Sequence, residues 1–201
     1  MTQDSLAPTA VTGGPADQAR PTEDQWVFLI DPDWEPENEG DQPPMEAIVG
    51  GWLTEPEGTT SSFHANPDYQ PSGPDAPTDP VDATIRLVTQ GRAESDDLLA
   101  VLRDAELAIA VDEEQTALVV PAPDDVPSVL VTTAPVNQRW VTGVSTWRDT
   151  SAAELAGALP DEGVDVLLNP GAPASIRLIA RVLKDAVARE SAAEQPQEAT
   201  S

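Results

Sequence analysis

Apolar residues in this chain come in short runs, each closed by a turn signal. Trp26-Val27-Phe28-Leu29-Ile30 stops at Asp31-Pro32, and the run over 164–168 stops at Asn169-Pro170-Gly171. Runs of this length bounded by Pro, Gly and Asp read as strands. The same reasoning predicts strands over 47–53, 59–65, 107–111, 116–120 and 126–132. In the last of these, alternation puts Val129 and Val131 on one face and Leu130 on the other. Glu55-Pro56-Glu57-Gly58 and Asp112-Glu113-Glu114-Gln115 are the expected turns, so 26–66 reads as a strand followed by a hairpin.

Helical spacing lies between these runs. Val81, Ile85 and Val88 align over 81–90, and Gly91 supplies the stop. Ser95-Asp96-Asp97 caps a second helix carrying Leu98, Leu99, Val101 and Leu102. Ser151 and Glu154 form a capping box ahead of a helix that Pro160 ends. A last helix is expected over 175–189, with Leu178, Ile179, Val182, Leu183 and Ala186 on one face and Arg177, Arg181 and Lys184 on the other. The stretch 134–148 fits neither period; Trp140 and Trp147 bracket either a short strand or an irregular return.

The resulting class is α+β, with a mixed or antiparallel sheet, about four helices and an N-terminal β-hairpin unit. Residues 1–24 and 191–201 read as disordered tails, 25–75 as the strand and hairpin unit with its Pro-rich linker, and 76–190 as the α+β domain. Pro67, Pro71, Pro74, Pro77 and Pro80 make 66–80 a stiff linker laid over a surface.

Charge excludes several functions. The formal net charge is −26, from 36 acidic and 10 basic residues, and 1–70 alone carries −13. Such a chain is repelled by nucleic acid and by anionic membrane surfaces. It has no cysteine and one histidine, so thiol chemistry and a His-rich zinc site are excluded. No apolar stretch reaches the ~20 residues of a membrane span. No basic residue precedes Arg20 and no apolar h-region follows, so a soluble, cytoplasmic protein without a signal peptide is expected.

Motifs for chemistry are sparse. The acidic alternation from Asp31 to Asp41 has Pro36 and Gln42 where a calcium loop needs Gly and Glu, so it reads as a solvated loop. His64 has no nucleophile elbow to serve; Gly143-Val144-Ser145 is only part of one, and His64 reads as a surface or edge-strand residue. Gly50-Gly51 lacks the Lys of a phosphate loop. No catalytic, cofactor-binding or metal-ligating residue is assigned.

From 77 onward several elements resemble the SseB N-terminal domain family. They are Thr78-Asp79-Pro80-Val81-Asp82, Asp96-Asp97-Leu98-Leu99 with Leu102-Arg103, Ala110-Val111-Asp112-Glu113-Glu114, Leu130-Val131-Thr132-Thr133, and Val166-Leu167-Leu168-Asn169-Pro170-Gly171-Ala172-Pro173. With Trp26-Val27, Leu29-Ile30-Asp31-Pro32 and Val49-Gly50-Gly51-Trp52, residues 25–185 are similar to actinobacterial type VII secretion system-associated proteins. The resemblance implies a small α+β domain and a cytosolic accessory role, and it carries no catalytic residue. Substrates of such systems resemble one another in a Trp-x-Gly turn and a Tyr-x-x-x-Asp/Glu signal. Here no Trp has Gly two residues on, and Tyr69 has Gly73 at the fourth place, so the chain reads as a component beside the machine.

The expected function is a non-enzymatic adaptor or chaperone-like binding protein whose acidic surface steers a protein partner, a secretion component or substrate. Candidate partner-binding residues are Trp26, Trp34, Trp52, Asn169, Gly171, Arg177, Arg181 and Lys184. Each has a structural alternative: the tryptophans as the hairpin's own core, the Asn-Pro-Gly element as a rigid turn, the basic residues as a solvated face. An acidic immunity protein that blocks a basic, nuclease-like toxin by charge mimicry is the alternative function. An enzyme working through carboxylates is a third.

Overall fold

A computed structural model describes residues 25–55 and 59–193, with side chains through Arg189. The expected tail at 1–24, residues 194–201 and the turn residues 56–58 lie outside the described residues; of the tail expected at 191–201, residues 191–193 instead belong to the last helix. The architecture is α+β, as the alternation of strand and helix patterns implies.

The N-terminal strands form a three-stranded antiparallel sheet in the order β1 (Gln25–Ile30), β2 (Ile48–Thr54), β3 (His64–Ala65). Gly50 faces Ala65 and Gly51 faces His64 across β2 and β3. The Phe63 ring lies where a side chain at Gly50 would be, 2.5 Å from the position of a Cβ. Gly50 therefore lets Phe63 reach Val49 and Tyr69, with Leu29, Trp52 and Ala65 packed around them. Phe63 also makes an isolated parallel bridge to Ala105, which joins this sheet to the larger one.

The segment 66–80 is not a linker laid over a surface. Tyr69, Ala76, Thr78 and Asp79 are buried within it. The Tyr69 hydroxyl donates to Asp31 at 2.6 Å and to the Pro77 carbonyl at 3.2 Å. The prolines stiffen the segment, but these interior contacts hold it in place.

The second sheet has six strands. Its path runs β7 (Thr146–Thr150), β4 (Leu107–Val111), β6 (Pro127–Thr132), β8 (Asp165–Leu168), β9 (Ile176–Leu178), with β5 (Val119–Pro121) also paired to β6. Only β6 and β8 are parallel. The return expected at 116–120 bonds β4 only through the Val111–Ala117 bridge and the Leu118 N–H to Ala110; it then moves across to pair with β6.

Helices α1 (Pro80–Thr89), α2 (Ser95–Arg103), α3 (Ala152–Ala158) and α4 (Ala180–Ala193) cover one face of this sheet. Val81, Ile85, Leu98, Leu102, Leu155 and Leu183 meet Ile109, Val129, Val131, Val166 and Leu168 there. Leu130 and Leu167 point the other way, toward Leu118, Val120, Val141, Val144 and Trp147 on loops and edge strands. The alternation read in 126–132 is thus the observed one.

Two helix starts differ from expectation. The N-cap of α2 is Glu94, in a reciprocal capping box with Asp97, one residue ahead of the expected Ser95. The final helix begins at Ala180, not Ser175, because Ile176–Leu178 pairs antiparallel with β8. Its backbone donors and acceptors satisfy the sheet instead of a first helical turn. Residues 134–148 form a 3-10 turn (Pro135–Trp140) and lead into β7.

Candidate interaction surface

Edge strands expose unpaired N–H and C=O groups and are normally guarded by charge or kept short. The large sheet follows that rule. Its edge strand β7 carries Arg148 and Asp149, and its other edge, β9, is three residues long and carries Arg177. The edge strand β1 breaks the rule: Gln25–Ile30 has six residues and no charge. Its first four residues are exposed, with Trp26 at 45%, Val27 at 44% and Phe28 at 50%.

Period 2 places Trp26 and Phe28 on the same face, and their rings stack with centroids 6.0 Å apart. Phe28 lies opposite Gly51, which lies opposite His64. A Cβ at Gly51 would stand 2.8 Å from the Val27 carbonyl, 3.1 Å from the Phe28 ring and 3.3 Å from the Trp26 ring. The glycine is what allows both rings to lie against the sheet. Trp26 also meets His64 edge-on at 5.7 Å. His64 pairs through Nδ1 with Glu106 at 3.3 Å, and Ser62 donates to the same carboxylate oxygen. Two aromatic rings, an imidazole and a carboxylate thus form one continuous strip.

The other candidates are placed differently. Trp52 is half-buried and packs edge-on against Phe63 at 4.8 Å, at the margin of the small sheet's core. Trp34 is half-buried beside an open groove of about 280 Å³ lined by Asp31, Asp33, Glu46 and Ser72. Asn169 is fully buried, and Gly171 sits at a positive φ of 76° against the Trp140 carbonyl. Arg177 is on β9, ion-paired with Asp124 and Asp165, and so does not share a helix face with the other two cations. Lys184 bonds the Leu159 carbonyl and Asp161, while Arg181 is 85% exposed and only loosely paired with Asp185. The structure brings none of these three together as one basic surface. The hydrogen bond from Arg177 holds Asp124 below the usual carboxylate range, and Lys184 does the same for Asp161.

A buried polar network, which sequence reasoning missed, occupies the carboxyl ends of β6 and β8. Asp79 caps α1, accepting from the N–H groups of Val81 and Asp82. It also accepts from the hydroxyls of Thr78 at 2.9 Å and Thr133 at 2.6 Å. Asn169 accepts from the Thr133 N–H at 3.0 Å, and Asn137 donates to the Thr78 hydroxyl at 2.8 Å. Ligands often bind at the carboxyl ends of parallel strands; here the protein's own side chains fill that place. Burial pushes the Asp79 carboxyl up against these bonds. Burial also raises Asp82 to about 6; Asp79 adds to the rise and the Arg86 pair opposes it.

Asp31, in the acidic stretch, is not solvated. It is buried and accepts from Tyr69, from the Ser72 hydroxyl and N–H, and from the Asp33 N–H. Burial works against its charge, but these donors outweigh burial and hold its carboxyl below the ordinary value. Among the described residues, no group of three His, Asp or Glu is placed to hold a metal ion, and no helix is long and apolar enough to cross a membrane.

No protein-family model, curated protein or solved structure matches this chain.

Proposed function

We propose that this chain is a non-enzymatic, cytoplasmic adaptor or chaperone-like protein that holds a protein partner on its small sheet. The type VII secretion setting comes from the resemblance carried by the Asn-Pro-Gly element and the Trp26 and Trp52 motifs. The binding mode comes from β1. One observation carries it: an uncharged edge strand with Trp26 and Phe28 stacked and exposed, on a chain of net charge −26. An extended partner segment can add to such an edge through main-chain hydrogen bonds and lay side chains on the aromatic face. Aromatic anchors dominate binding energy, and the anionic surroundings favour a basic partner and speed its approach.

The test is affinity capture from native cytosol with the wild-type chain and with a Trp26→Ser/Phe28→Ser double variant, followed by kinetics with the purified partner. The expected result is a basic protein held by the wild type and lost by the variant. Its association should slow markedly at about 0.5 M salt, where charges beyond a few ångströms are screened. Capture unchanged by the double variant overturns the reading, as does turnover of a metabolite that a point change in a cleft abolishes.

A further inference from the structure

The hydrogen-bond register of the small sheet fixes which groups β1 leaves free. On β2, the Leu53 C=O accepts from the Ser61 N–H, and the Val49 C=O accepts from the Asn66 N–H. The Leu53 N–H also turns that way, donating to the Ser61 hydroxyl. A residue's N–H and C=O leave an extended strand on the same edge, and that edge alternates along the chain. Val49, Gly51 and Leu53 therefore turn their main chain away from β1. Trp26 and Phe28 lie opposite Leu53 and Gly51. Their own N–H and C=O groups consequently point to the open edge, where no strand among the described residues pairs with them. The residues that stack their rings on one face also hold the free main-chain groups of that edge.

The opposite face of β1 is apolar too. Val27 is exposed there beside the half-buried Leu29, and the half-buried Trp52 lies across from Val27 on β2. A strand added to this edge thus meets aromatic rings on one face and Val27 on the other, with Trp52 beyond it. Strands covered on both faces read as continuous apolar runs, whereas strands with one wet face alternate. Charge sets the ends. Glu23-Asp24 directly precede β1 in the chain and Asp31-Pro32-Asp33 follow it, with Asp33 exposed, so the 6 uncharged residues of β1 stand between carboxylates. We infer that β1 receives a run of about five consecutive apolar residues with a basic residue at each end, the length of an ordinary strand; this rests on the docking reading above. A second copy of β1 has the apolar run but the wrong ends, since pairing would bring like charges together.

The experiment titrates the peptide acetyl-Lys-Lys-Val-Phe-Val-Ile-Val-Lys-Lys-amide into the full chain and follows backbone amide shifts by NMR. Saturable shifts are expected over Gln25–Ile30, with a Kd of about 0.1 mM. Replacing the peptide's valines by threonine leaves it one apolar face and should weaken binding about tenfold. Replacing its lysines by glutamate should abolish binding. A pair of peptides N-methylated either at the valines or at the Phe and Ile separates main-chain pairing from apolar contact. One should bind like the parent and the other at least about tenfold more weakly, because only alternate N–H groups face β1. Val27→Thr keeps the branched shape and should narrow the preference for the all-apolar peptide over the threonine peptide to under about threefold. Equal binding of the threonine or glutamate peptide, indifference to both N-methyl patterns, or a preference unchanged by Val27→Thr overturns the inference. So does self-association of the free chain that Trp26→Ser abolishes in sedimentation. A silent titration beside capture that Trp26→Ser/Phe28→Ser abolishes removes this segment alone, whereas capture that survives that variant removes the docking reading.

Discussion

Strands β6 and β8 lie side by side in the larger sheet and are buried over 128–132 and 166–168, whereas β1 is exposed over its first four residues. All three are uncharged or nearly so, and rich in β-branched, aromatic or leucine side chains. Their surroundings differ. β6 and β8 have helices on one face and the 118–122 and 141–147 segments on the other. β1 has a neighbour on one edge only, and its Trp26–Phe28 face has no covering layer among the described residues. β-propensity describes fit to a pleated, half-buried surface, and what buries a strand is decided by the elements around it. The same composition therefore builds a core in one sheet and a surface for another molecule in the other.

If that contrast is right, the two sheets should answer differently to damage. Leu168→Ala removes a fully buried side chain from β8 and should cost about 4 kcal/mol, lowering the denaturant midpoint for the whole chain. A loss below about 1 kcal/mol would mean that the helix-covered face is not the main source of stability.

Two carboxylates, one in each region, should give opposite pH responses. Asp82 on α1 has a folded pKa of about 6 against an ordinary 3.8, so the native state binds its proton more tightly than the unfolded chain does. Stability from this group is therefore greatest when it is protonated and declines as pH rises from about 4 to about 6, by up to about 3 kcal/mol. Asp82→Asn should flatten that decline. Asp31, in the small sheet's unit, is held below its ordinary value, so its contribution is present above about pH 4 and is lost as pH falls through its lowered pKa. Asp31→Asn should remove that acid-side loss. Urea midpoints measured between pH 3 and 7 for both variants check the pair; parallel curves for Asp82→Asn and wild type would refute the first assignment.

A smaller, local effect is expected at Gly50. A Cβ there would meet the Phe63 ring and the His64 carbonyl, so Gly50→Ala should cost about 2 kcal/mol by overpacking. Amide exchange should quicken over 48–54 while β6 and β8 keep their protection. Equal loss of protection in both sheets would show that they open as one unit.

Much of this architecture is legible in the sequence, and the misses have physical causes. The Ser151 box, the Gly91 stop and the split of Val129 and Val131 from Leu130 follow from local rules and are all present. Residues 175–189 carry an unbroken helical pattern, yet Ile176–Leu178 is a strand, because the open edge of β8 supplies hydrogen bonds that a helix start would not. Asp79, Thr133 and Asn169 are distant in sequence, and no local pattern announces that they meet. The β1 face is half legible: Trp26 stands out, but Phe28 gains its role from period 2 and from Gly51, which lies opposite it on β2 and opposite His64 on β3. The pair Gly50-Gly51 was the available signal, a strand without side chains opposite aromatic residues.

The two tryptophans on the small sheet give the finest test of the contrast. Trp26 is exposed and stacks on Phe28; Trp52 is half-buried and packs edge-on against Phe63, a core residue of the small sheet. Trp26→Ser removes a ring that still touches water over nearly half its surface, and surface changes of this kind cost under about 1 kcal/mol. Trp52→Ala leaves a void beside Phe63 and Val49 and should cost about as much as Gly50→Ala. Thermal melts by circular dichroism should therefore separate the two by several degrees, with Trp26→Ser close to wild type. Equal destabilisation by both would mean that Trp26 is part of the fold's own packing, and β1 would lose its claim as the surface kept for a partner.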